Sequence, residues 1–127
     1  MTLASGLPPT RFDYAAAVPD VAALGAVHLV GVGGAGMSAI ARMLAARGLV
    51  VSGSDSRDSA TLRVLAGDGI GVHIGHDAAQ LAGVQTLVVS SAIREDNPEL
   101  AAARATGLRV LHRSQALAAL AADAPCR

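Results

Sequence analysis

Short runs of β-branched and leucine residues alternate along the chain with longer stretches whose apolar positions recur at helical spacing. From Ala26 onward, Val27–Val32 precedes a helical stretch over Ser38–Arg47, Leu49–Ser52 precedes Ala60–Ala66, and Ile70–Ile74 precedes Ala78–Leu81. Thr86–Val89 then leads into Pro98–Ala105, and Arg109–Leu111 into Gln115–Ala121, which makes five strand–helix units. Such alternation buries both faces of a parallel sheet, so the pattern predicts an α/β fold: an open parallel sheet of about five strands with helices on both faces, in a single domain. Met37, Ile40, Ala41 and Leu44 lay one apolar stripe along the first helix, and Gly48 follows it as a C′ residue. Asn97-Pro98-Glu99 supplies an N-cap, a proline at the first helical position and a first-turn acid, and Gly107 closes that helix. Asp77 and Ser114 are the expected caps of two others. Only Leu62, Leu65 and Ala66 define the face of the second helix. Residues 1–25, with Pro8, Pro9 and Pro19, read as a partly flexible leader holding one short helix, 26–122 as the folded domain and 123–127 as a tail.

Composition narrows the chemistry. The 127 residues are 52% hydrophobic and 16% charged, with ten acidic and ten basic side chains. A chain of that length buries roughly two thirds of its unfolded surface, enough for a core without metal or disulfide support. Balanced charge without a basic cluster argues against nucleic acid as a partner. No run reaches the roughly 18 apolar residues of a membrane span, and no basic segment precedes an apolar run at the N-terminus, so the expectation is a cytoplasmic protein with no membrane partner. The single cysteine, Cys126, allows no internal disulfide. All ten basic residues are arginine. Without lysine the chain can form neither a GxxxxGK[ST] phosphate loop nor a Schiff base nor a lysine general base.

Gly31-Val32-Gly33-Gly34-Ala35-Gly36 stands between the first strand and the first helix, the setting in which G-x-G-x-x-G carries meaning. Glycines let the backbone approach a ligand, and the N–H groups of the helix start attract a diphosphate. Asp55, nineteen residues after Gly36, lies at the exit of the second strand, where a carboxylate can accept from ribose hydroxyls or cap a turn. Ligands of open parallel sheets bind outside the carboxyl ends of the strands, so Gly75-His76, Ser90-Ser91-Ala92 and His112-Arg113 are the other candidates. Arg94 is a phosphate candidate within an otherwise solvated Arg94-Glu95-Asp96 loop. His28 sits at the opposite end of its strand and reads as structural, and His73 as a packed or surface residue. His73 and His76 lack the further ligands a metal site needs, and no G-x-S-x-G elbow marks a serine hydrolase. The residues alone fit an NAD(P)-binding module of an oxidoreductase and a nucleotide-sensing domain, both of which use a glycine loop and an anion site.

Taken in order, His28-Leu29-Val30-Gly31-Val32-Gly33-Gly34-Ala35-Gly36-Met37-Ser38, Ser52-Gly53-Ser54-Asp55, Ile74-Gly75-His76, Val89-Ser90-Ser91-Ala92-Ile93 and Asp96-Asn97-Pro98-Glu99-Leu100 resemble the Mur ligase family, and within it the UDP-N-acetylmuramate–L-alanine ligases. The resemblance covers about residues 26–120. It implies a Rossmann-like domain that holds the UDP part of UDP-N-acetylmuramic acid, in an enzyme that adds L-alanine to that substrate during peptidoglycan precursor synthesis. It further implies that ATP and Mg²⁺ serve the complete enzyme through central and C-terminal domains outside this chain, which alone has no cofactor and is catalytically inactive. Carried onto this sequence, Gly33, Gly34, Ala35, Gly36, Met37 and Ser38 would cradle the diphosphate and sugar. Asp55 would meet the ribose or nearby uridine atoms, and His76, Ser90, Ser91 and Ala92 would line the uracil side.

Overall fold

A computed structural model describes Phe12 and residues 19–123. Most of the expected leader, together with Cys126 and the last residues of the tail, lies outside these. Within the leader, Val21–Leu24 forms one 3₁₀ turn whose Val21 and Leu24 are buried in the core.

Five parallel strands form one sheet: β1 (Val27–Val30), β2 (Val51–Asp55), β3 (Gly71–Ile74), β4 (Thr86–Val89) and β5 (Arg109–His112), in the order β3-β2-β1-β4-β5. The connecting helices are α1 (Ala35–Ala46), α2 (Ala60–Gly67), α3 (Pro98–Thr106) and α4 (Arg113–Asp123). This is the α/β architecture expected from the alternation. Several elements differ in extent, β1 ending at Val30, α1 beginning at Ala35 and α4 at Arg113, and two differ more. Ala78–Leu81 is a single 3₁₀ turn capped by the Asp77 side chain, not an α-helix, and β2 lies over Val51–Asp55, downstream of the expected Leu49–Ser52. Leu49 is occupied in ending α1, its N–H donating to Leu44 O across the positive-φ Gly48. Polar Ser52 and Ser54 hide the strand from a hydropathy reading.

Both faces of β1 are covered, and all four of its residues are buried. Val27 and Leu29 join Ile40, Leu44, Leu62, Leu65 and Leu120 in one core, beneath α1, α2 and α4. Val30, Leu87 and Val89 meet Leu100 and Ala103 of α3 in a second, smaller one. Alternating side chains of a strand point to opposite faces, so His28 shares the α3 face with Val30. Register places His28 beside Ser52 and Val30 beside Ser54.

Chain order sets the crevice. Running β1-β2-β3 in one direction and then crossing to β4 on the other side of β1 creates a topological switch point between β1 and β4, where open sheets bind their ligands.

Candidate functional site

At the carboxyl end of β1 the chain turns sharply at Gly31, with φ +79°, a conformation that favours glycine. The N–H groups of Gly31 and Val32 donate to Ser54 O, at 2.8 and 3.0 Å, and Gly34 N–H donates to Gly31 O at 3.1 Å. Gly33 N–H donates to Asp55 Oδ2 at 3.0 Å. The loop is therefore stitched to β2, and the donors left for an anion are those of the first helical turn, Ala35, Gly36 and Met37. Gly34, the N-cap, has no side chain to satisfy them. The likeness-derived cradle Gly33–Ser38 thus divides. Gly34, Ala35 and Gly36 are exposed on the edge, and Met37 offers its backbone while its side chain is buried in the core. Ser38 turns its hydroxyl back onto Ala35 O at 3.0 Å.

Asp55 ends β2, half-buried, its Oδ1 accepting from Arg57 N–H at 3.3 Å. It shapes the glycine loop, as the turn-forming alternative expects, from the carboxyl edge of the sheet. The turn after β4 brings Ser90, Ser91 and Ala92 to the other side of the switch point; Ile93 N–H closes it on Ser90 O. Ile93 also reaches over the glycine loop, 3.7 Å from where a Cβ on Gly31 would stand. Ser91 Oγ pairs with His112 Nε2 at 2.9 Å.

Of two further participants, one was a strand-exit candidate in the sequence and the other was not. Arg113 opens α4, exposed, with Nη1 3.5 Å from where a Cβ on Gly36 would lie. A guanidinium there faces the start of α1, and its only sequence signal is its place one residue beyond a strand exit. Glu99 is the second. Read as a first-turn helix acid, it is instead fully buried against β1 and β2. Its Oε1 accepts the Ser54 hydroxyl hydrogen at 2.5 Å and lies 3.2 Å from His28 Nε2, a contact too bent to count as an aligned hydrogen bond. Asp77 N–H approaches Oε2 at 3.3 Å, and His28 Nδ1 meets Ser52 Oγ at 2.7 Å. Burial alone drives the Glu99 carboxyl upward, but the His28 and Ser54 side chains, the charge of His28 and the Asp77 N–H outweigh it and hold the group below the usual glutamate range. The signal that could have revealed this network is the polar alternation Ser52, Ser54 beside His28 on a strand otherwise built for burial.

His76 leaves β3 with Nδ1 2.8 Å from Ser54 Oγ, which ties a candidate site residue to that buried carboxylate. His73 lies beside His28, ring centroids 6.4 Å apart, and Arg94 is exposed and paired with Asp96. Among the described residues no group of three or more His, Cys, Asp or Glu side chains could hold a metal ion. Two shallow hollows, one bounded by Arg42, Met43 and Asp68 and one by Ala79, Leu81 and Leu108, lie away from the strand exits.

Against known proteins, the family described as Mur ligase family, catalytic domain, matches residues 26–124. The chain belongs to the Mur ligase family. Among its relatives, the UDP-N-acetylmuramate--L-alanine ligase of Nocardioides sp. is 62% identical over 99 residues, covering 78% of this chain and 22% of that protein. The corresponding protein of Kineococcus radiotolerans is 59% identical over 110 residues, 84% of this chain and 23% of its own length. In three dimensions the UDP-N-acetylmuramate-alanine ligase of Thermotoga maritima matches with a TM-score of 0.69 at 31% identity, over 72% of this chain and 21% of that one. This Mur ligase chain therefore spans a little over a fifth of the length of the relatives it matches.

Proposed function

We propose that this chain is the part of a UDP-N-acetylmuramate–L-alanine ligase that binds the UDP moiety of UDP-N-acetylmuramic acid. The observation that carries the reading is the convergence at the switch point. Uncapped N–H groups of Ala35, Gly36 and Met37 face the Arg113 guanidinium, with Asp55 on one flank and Ser90–Ala92 on the other. A helix start favours negative charge through its dipole and its unpaired donors, and a guanidinium adds charge-assisted hydrogen bonds, so a diphosphate fits. Asp55 Oδ1 is placed to accept from a ribose hydroxyl, while His76, Ser90, Ser91 and Ala92 border the space beyond it. The relatives' names supply the sugar and the amino acid.

In the whole protein the reaction is peptidoglycan precursor ligation, with L-alanine joined to the muramyl carboxyl at the expense of ATP, in the cytoplasm. None of the described helices is long and apolar enough to cross a membrane. ATP and Mg²⁺ do not fit the residues present, since the sequence has no lysine for a phosphate loop and the described residues offer no cluster of three or more His, Cys, Asp or Glu side chains for a metal ion. Those steps belong to the central and C-terminal domains, the partners of this one, and the chain by itself binds without turnover. Parallel calorimetric titrations with UDP-N-acetylmuramic acid, UDP and NADH test the reading. Heat from the two uridine ligands is expected; heat from NADH alone would overturn it in favour of a dinucleotide-binding module.

A further inference from the structure

The groups around Glu99 form a directed chain. Ser54 commits its only hydrogen to Glu99 Oε1. A serine oxygen whose hydrogen is so committed can only accept from its next neighbour. That neighbour is His76 Nδ1, at 2.8 Å, so Nδ1 carries a hydrogen. The carboxylate enforces the same choice directly: Glu99 Oε1 is 3.5 Å from His76 Nδ1, and a lone pair there would face an anionic oxygen. In its neutral form His76 is therefore the Nδ1–H tautomer with a lone pair on Nε2. His112, at the neighbouring strand exit, is fixed the other way. Ser114 N–H donates to its Nδ1 at 3.2 Å, which leaves the hydrogen on Nε2.

His76 turns Nδ1 inward, and its ring is 20% exposed at the exit of β3, on the same sheet edge as Asp55. Nε2 has no partner among the described residues. We propose that Glu99, acting through Ser54, is a positioning residue that locks His76 as the Nδ1–H tautomer, so that Nε2 accepts a hydrogen bond from the nucleoside part of the bound ligand. A lone pair repels a phosphate oxygen and fits a donor, which in a uridine nucleotide is a ribose hydroxyl or the imide N–H of the base. Glu99 would thus help select the nucleoside end while the α1 start and Arg113 take the diphosphate. The ligand half of this inference rests on the proposed UDP reading; the tautomer half does not.

Long-range ¹⁵N–¹H correlation spectra of the imidazoles, recorded on the ligand-free 127-residue chain at about pH 8, where histidine is ordinarily neutral, read the tautomer without any variant. His76, assigned by the signals lost in His76→Gln, is expected as Nδ1–H and His112 as Nε2–H. An Nε2–H tautomer at His76 overturns the proposal. Glu99→Gln, which removes the anionic oxygen facing Nδ1 and can donate to Ser54 Oγ, should release His76 toward the Nε2–H form, which a purely structural role for Glu99 would not produce; an unchanged Nδ1–H form in this variant overturns the positioning role. Titrations of the wild-type chain with UDP, 2′-deoxy-UDP and N3-methyl-UDP then identify the donor. The analogue lacking the accepted hydrogen should bind about threefold to tenfold more weakly than UDP, a difference that disappears in His76→Phe, which has no acceptor. Equal affinity for all three would refute the acceptor role, whereas no binding of UDP at all would refute the UDP reading and leave the tautomer spectrum to stand or fall alone.

Discussion

Val32 is fully buried and lies on Gly53 of the neighbouring strand, so closely that a Cβ on Gly53 would come within 2.5 Å of Val32 Cβ. Both atoms belong to stiff backbone-proximal positions, and neither can swing away. Gly53→Ala should therefore destabilise the chain by about 1–3 kcal/mol through overpacking, read as a lower urea midpoint with an unchanged slope; an unshifted midpoint would show that the loop yields freely. Gly34 is the opposite case. Its backbone is ordinary (φ −67°), and a Cβ there would stand 3.4 Å from Gly31 O on an exposed edge. Gly34→Val should fold normally by circular dichroism yet lose the heat of UDP binding, because its methyl groups occupy the space a diphosphate needs. Full binding by a folded variant would remove the loop from the site. Sequence spacing located Gly34 in its loop but gave no sign of the task of Gly53, which depends on a side chain of the neighbouring segment. Glu99 was hidden for a related reason: an acid two residues after an asparagine cap is ordinary on an exposed helix start, and only the third dimension lays it against Ser54.

Among the elements, α3 was legible because every device at its ends has a local sequence signature. Asn97 Oδ1 accepts from Glu99 N–H at 2.9 Å and Leu100 N–H at 3.4 Å, and Gly107 closes the helix at φ +73°. Asn97→Ala should cost about 1 kcal/mol of stability, the usual worth of such a cap, and thermal unfolding with and without the substitution measures it. The start of α4 was misplaced: the helix begins at Arg113, ahead of the expected Gln115, and Ser114 is not its cap. His112 takes that role, its Nδ1 accepting from Ser114 N–H while Gln115 Oε1 accepts from His112 N–H at 2.8 Å. This is the reciprocal arrangement of a capping box with imidazole in place of a hydroxyl, and imidazole is not among the side chains that announce a cap. The Ala78–Leu81 segment shows another limit. Its cap was readable in Asp77, but a four-residue stretch holds one turn of either helix type, and Gly83, at φ +78°, follows it closely. Strand order lies beyond local patterning altogether, because it depends on which strands meet across the sheet.

Across the whole molecule the two faces of the sheet are built differently. The face beneath α1, α2 and α4 is apolar, whereas the α3 face joins a small apolar core to a buried carboxylate held by His28, Ser54, His76 and the Asp77 N–H. That asymmetry makes the fold acid-sensitive in a direction the geometry fixes. In the unfolded chain Glu99 takes up its proton near the ordinary value of 4.5, and in the folded chain only at lower pH. Between the two values the unfolded chain binds more protons, so stability rises with pH across that window. The Glu99 contribution is therefore complete above the unfolded value and is lost as pH falls through the folded one. Urea unfolding of the wild-type chain should weaken more steeply between about pH 5.5 and about pH 3 than that of Glu99→Gln, which has no proton to take up at this position while the other carboxylates are common to both. Parallel pH dependences in the two proteins would mean that the carboxylate is not held ionised by its neighbours, and the steeper loss in the wild type would locate the acid sensitivity of the fold at the same group that orients His76.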